Sequence, residues 1–129
     1  MEKNRGGYRV LVADDDTSVH EALGLYFRRE EYQMLSAYDG DEALEMVRRS
    51  RPDIVVLDPP RKGCDAALLE TIGQQMSPER IVMISCNSAT AARDAAILCQ
   101  NGYRVVKLQA VDMFPRTAHV ETVVLLSRA

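Results

Sequence analysis

Short apolar runs alternate along this chain with stretches whose apolar positions recur every three to four residues. The runs are Tyr8–Ala13, Tyr32–Ala37, Asp53–Leu57, Arg80–Ile84, Tyr103–Ala110 and Val120–Leu126. Several are apolar at consecutive positions, as strands covered by helices on both faces require. Between them, Ser18–Glu30 sets Val19, Ala22, Leu23, Tyr26 and Phe27 on one helical face, and Ser18-Val19-His20-Glu21 has the spacing of a capping box. Asp41–Ser50 carries Ala43, Leu44 and Val47 at helical spacing and closes before Pro52. Ala66–Gln75 and Ala89–Gln100 are the third and fourth helices, with Gly102 placed as a C-terminal stop. The order β-α-β-α-β-α-β-α-β-β predicts an α/β fold, a doubly wound three-layer sandwich. Only Val111–His119 joins the last two strands. That is too short for a parallel crossover, so the final strand is expected to run antiparallel.

Composition narrows the reading to one domain. The chain has 129 residues, 47% hydrophobic and 27% charged, with no repeat, low-complexity segment or linker. Its longest apolar runs, such as Ile54-Val55-Val56-Leu57, are too short to span a membrane. Met1–Arg5 leads into no apolar signal core, so the expectation is a cytoplasmic protein. Cys64, Cys86 and Cys99 are odd in number and lack paired metal spacing, which argues for free thiols over zinc or disulfides. Charge is uneven: residues 1–58 hold 8 Lys/Arg against 13 Asp/Glu, whereas residues 59–129 hold 8 against 6. No Lys/Arg run exceeds two residues, and Tyr103 and Phe114 are the only aromatics of the second half. RNA is therefore not an expected partner, nor is a membrane, and a monomer is the simplest state.

Candidate chemistry changes the picture in each half. In the first, the informative stretches are Val10-Leu11-Val12-Ala13-Asp14-Asp15-Asp16, Ala37-Tyr38-Asp39-Gly40-Asp41-Glu42-Ala43-Leu44, and Pro52-Asp53-Ile54-Val55-Val56-Leu57-Asp58. This half, residues 1–58, resembles the receiver domain of bacterial response regulators. The resemblance implies that Asp14, Asp15 and Asp58 are Mg²⁺ ligands and that Asp58 accepts a phosphoryl group. Three carboxylates at adjacent strand ends repel one another unless a hard dication lies between them. The plainer alternative makes Asp16 a helix cap and the other acids solvated strand ends. The family also uses a hydroxyl ending the fourth strand, for which Ser85 is the candidate. It further uses a lysine ending the fifth; Lys107 sits mid-strand instead.

The second half carries different motifs. They are Leu57-Asp58-Pro59-Pro60-Arg61-Lys62-Gly63, Ile84-Ser85-Cys86-Asn87, Ala92-Arg93-Asp94, Gly102-Tyr103, and Asp112-Met113-Phe114-Pro115-Arg116-Thr117-Ala118-His119-Val120-Glu121. From about residue 54 to residue 129 the chain resembles the C-terminal part of RNA uracil-5-methyltransferases, departing at Ser88, where that family has proline. The resemblance implies Cys86 as the nucleophile on uracil C6, Glu121 as the base removing the C5 proton, and Asp58 as an acid at the S-adenosylmethionine edge. Thiolate addition makes C5 nucleophilic, and a helix start beside Cys86 favours thiolate. The alternatives are a small buried Cys86 and a solvated Glu121.

The two resemblances share Ile54–Asp58, an apolar central strand ending in Asp. Receivers order their strands 2-1-3-4-5 and these methyltransferases 3-2-1-4-5-7-6, so a strand beside the first is common to both. A fusion there keeps right-handed crossovers and predicts six strands in the order 2-1-3-4-6-5. The chain reads as a fusion of the two families within a single domain, a receiver-like half at 1–58 and a methyltransferase-like half at 59–129. A deliberate splice would produce it, and natural recombination would look alike. Ala13-Asp14-Asp15-Asp16-Thr17-Ser18 stands where a glycine-rich cofactor turn would be, so S-adenosylmethionine is not expected to bind. Mg²⁺ is the one cofactor the acids accommodate, and none is required for folding. Three readings are open: a chimeric fold without parental activity, a phosphoacceptor module, and a remnant methyltransferase.

Overall fold

Two short apolar strands lie inside the sheet, β1 (Arg9–Ala13) and β3 (Ile54–Leu57), paired in parallel from Val10↔Ile54 to Ala13↔Leu57. This computed structural model describes residues 7–58, 66–85, 87–112 and 120–129. β2 (Gln33–Ala37) pairs with β1 on the outer side, and β4 (Arg80–Ser85) with β3 on the other, both in parallel. β5 (Tyr103–Asp112) and β6 (Val120–Arg128) form an antiparallel pair. β6 lies against β4, giving the order β2-β1-β3-β4-β6-β5. The order and the antiparallel last strand expected from sequence are both present. β5 and β6 run longer than their apolar runs, because each completes the other's hydrogen-bond ladder and draws in Val111, Asp112, Ser127 and Arg128.

Right-handed crossovers sort the helices. α1 (Thr17–Arg29) lies on one face; α2 (Gly40–Ser50), α3 (Ala66–Thr71) and α4 (Ser88–Gln100) lie on the other. The larger core packs Leu11, Val55, Leu57, Ile81, Met83 and Leu126 of the strands against α2, α3 and α4. The smaller packs Val10, Val12 and Val56 against Leu23 and Phe27 of α1.

Three local expectations are corrected. The first helix is capped by Asp16, whose carboxylate accepts from the Ser18 N–H at 2.9 Å and from the Ser18 hydroxyl at 2.6 Å, so Ser18 heads no capping box. Only part of the α1 apolar face is covered: Leu23 and Phe27 pack on the sheet, while Ala22 and Tyr26 are exposed. The third helix gives way after Thr71 to one π-helical turn, Ile72–Met76. That turn carries Gly73 so close to Asn101 that a Cβ on it would lie 2.5 Å from the Asn101 Cβ. Gly102, with φ +97°, follows the α4 cap residue Asn101 as expected.

Candidate functional site

Strand pairing alone brings the acids together. Ala13 pairs with Leu57, so Asp14 and Asp58 leave adjacent strands at the same edge, and the Asp58 N–H donates to the Ala13 carbonyl at 3.0 Å. Asp14 is nearly buried, at 5% exposure. Its Oδ1 accepts from the Asp16 N–H at 2.9 Å, whereas its Oδ2 is buried and, among the described residues, meets no donor unless the neighbouring Asp58 carboxyl carries a proton. Asp15 is exposed beside it.

Asp58 feels all of this. Burial, then a hydrogen bond and the charge of Asp14, then the charges of Glu121 and Asp15, push its carboxyl from the ordinary 3.8 up to about 7. Glu121 reaches the site because β6 runs back along β4, pairing Thr122 with Ser85 and so returning its first residues to the strand-end edge. Each of the neighbours that act most on Asp58 is an acid.

The structure separates the remaining candidates. Ser85 is buried, and its hydroxyl is taken up locally, donating to the Asn87 carbonyl at 2.9 Å and accepting from the Asn87 N–H at 3.1 Å. Lys107 is exposed in mid-strand on β5, three strands from β3, or roughly 14 Å at the usual strand spacing. It cannot neutralise Asp58. Cys86 and Cys64 lie outside the described residues, and Cys99 is an exposed free thiol. The proposed ligands Asp14, Asp15 and Asp58 do not close into a cage: among the described residues, no three His, Cys, Asp or Glu side chains are gathered as a metal site.

One residue of this edge has no role in any motif read from the sequence. His20, buried one turn into α1, donates from Nε2 to the Asp14 carbonyl at 2.7 Å, and its Nδ1 meets the Ser36 hydroxyl at 2.9 Å. Its ring lies against Tyr38 with centroids 4.3 Å apart. His20 therefore ties the backbone of the buried acid to β2. The signal for it in the sequence was its spacing, four residues after the Asp16 cap, which turns it back toward the strand end.

The chain matches known proteins of two kinds. The profile of the response regulator receiver domain matches residues 10–113, well beyond Asp58, where the receiver-like sequence pattern was expected to stop. A protein of Bacillus cereus named as an uncharacterized RNA methyltransferase is 59% identical over 76 residues, covering 59% of this chain and 16% of the relative. The chain thus spans about a sixth of the length of the curated relatives it matches. Among solved structures, a protein of Thermoplasma acidophilum assigned as a methyltransferase superposes with TM-score 0.67 at 12% identity, covering 96% of this chain and 69% of that one. A Francisella response regulator receiver domain superposes with TM-score 0.58 at 24% identity, covering 74% and 78%. These likenesses show the fold. Among the described residues, no helix is long and apolar enough to cross a membrane.

Proposed function

The chain belongs to the response regulator receiver domain family, matched over residues 10–113, and from that membership we propose a fused receiver- and methyltransferase-like module that binds a divalent cation at Asp14 and Asp58 and carries out neither parental reaction. The observation that carries this reading is the strand-end acid pair: a buried Asp14 Oδ2 with no fixed donor, beside an Asp58 carboxyl held up to about 7 by burial and by Asp14. Hard carboxylate oxygens in this number suit Mg²⁺. Asp14 and Asp58 would hold the ion, with Asp15 and Glu121 adding negative charge. When bound, such an ion neutralises charge on a transferring phosphoryl oxygen.

The surroundings of the acid pair restrict its chemistry. Where the receiver chemistry uses a lysine, this edge presents Glu121, and Lys107 lies too far away across the sheet. An incoming phosphoryl group would meet negative charge without a compensating ammonium. Methyl transfer is opposed by the same acids, since Asp14, Asp15 and Asp16 stand where the cofactor's own carboxylate would approach. A misplacement of about one ångström already costs such a reaction roughly a hundredfold.

Ligand-shift melting tests the reading, with Mg²⁺, Mg²⁺ plus beryllofluoride, and S-adenosylmethionine in parallel. Mg²⁺ is expected to raise Tm by binding the folded state, with no further rise from beryllofluoride and none from S-adenosylmethionine. An unchanged Tm with Mg²⁺ would remove the cation site. Radiolabelled methyl entering uracil-containing RNA above a Cys86→Ala control would restore the methyltransferase reading.

A further inference from the structure

We infer that the sheet face beside α1 is a docking slot for one amphipathic helix with acidic flanks. A parallel sheet is normally covered on both faces. Among the described residues, α1 is the single helix on its face, and it rests over the β2 and β1 side. Register places Ile54 of β3, Val82 and Ile84 of β4, and Val123 and Leu125 of β6 on this same face, each only partly buried. α1 borders the strip with an apolar flank that no other described element covers. Ala22 is exposed there and Tyr26 is 55% exposed, on the side of the helix opposite the groove lined by Thr17, Gly24 and Arg28.

Dimensions and charge select the occupant. Three strands at their usual spacing give an apolar strip roughly 10–14 Å wide, the diameter of one helix. A second copy cannot lay its own sheet there, because α1 rises roughly 10 Å above the strip. The far border is basic: Arg104 and Lys107 share this face through their pairing with Ser127 and Leu125, and Arg80 closes the lower end. None of the three makes an ion pair among the described residues. In a chain with net charge −3, that local basic rim calls for acidic residues along the partner helix. At the other end lies Glu121, returned to the strand-end edge by the Thr122–Ser85 pairing, and its charge favours a helix N-terminus. The docked helix therefore runs alongside α1 in the same direction.

The test uses the full chain and two labelled peptides of about 18 residues, both with leucines at helical i, i+3, i+4 spacing, one with glutamates on its flanks and one with lysines. Fluorescence anisotropy is expected to show saturable binding of the glutamate peptide. About tenfold weakening is expected from R104E/K107E, from Tyr26→Glu and from raised salt, with circular dichroism confirming that each variant is folded. The lysine peptide should bind far less. Equal binding of both peptides would reduce the slot to unspecific apolar contact, and binding of neither would remove it. Sedimentation as a dimer that Tyr26→Glu dissociates and the glutamate peptide fails to displace would replace the inference with self-association.

Discussion

Asp58 shows how neighbours decide what a carboxyl does. Its raised value, from 3.8 to about 7, means that the folded protein keeps a proton the unfolded chain has already lost in that interval. Its contribution to stability is complete below the unfolded value and is lost as pH climbs through about 7. Thermal melts from about pH 5 to about pH 8 should show that loss, and Asp58→Asn should flatten it. At about pH 8 the variant should gain about 1–2 kcal/mol, with solvent screening of a half-buried group allowed for, or a few degrees of Tm. A wild-type profile parallel to that of Asp58→Asn would contradict the raised Asp58 value and the burial and neighbouring acids behind it. Mg²⁺ should reverse the high-pH loss in wild type, and Asp15→Asn should blunt that response; an undiminished response in Asp15→Asn would take Asp15 out of the site. The acids were legible in the sequence because strand-end carboxylates follow apolar runs directly. His20 was not, since its work is a hydrogen bond to a backbone carbonyl, which no side-chain pattern encodes.

At the scale of elements, periodicity located the α-helices and strands of the described residues, while the π-helical turn after Thr71 and the caps depended on geometry it does not carry. Asp16, not Ser18, receives the orphan N–H groups of α1, because the chain turns immediately after Asp15. Asn87 does the same for α4, its side-chain oxygen accepting from Ala89 N–H at 3.0 Å and Thr90 N–H at 3.3 Å. Asn87→Ala should therefore cost about 1 kcal/mol in urea unfolding, and Asn87→Ser should recover most of it. A neutral Asn87→Ala would show that α4 is held by packing alone. The α1 face was half legible for a related reason. Helical spacing counts apolar positions without saying which neighbour covers them, and here Leu23 and Phe27 pack on the sheet while Tyr26 stays 55% exposed. Likewise the register shift between Val105 and Lys107 leaves no mark in the alternation of that strand.

For the whole molecule the question is whether a sheet assembled from two kinds of sequence behaves as one. β3 answers structurally: Val55 pairs with Leu11 on one side and Ile81 on the other, and Leu57 pairs with Ala13 and Met83. The larger core then crosses the junction, uniting Val47 of the first half with Leu69, Leu98 and Leu126 of the second. A core continuous in this way has no internal plane of weakness, so the two halves should unfold together. Far-ultraviolet circular dichroism reports both halves. Tyrosine fluorescence weights the first, which holds Tyr8, Tyr26, Tyr32 and Tyr38, against Tyr103 in the second. The two transitions should coincide. Leu57→Ala, at a position 1% exposed in the shared strand, should cost about 2–4 kcal/mol and move both probes by the same amount. Were the tyrosine signal to shift alone, the halves would be folding as separate units and the strand at Ile54–Leu57 would be a contact between them, not a common element.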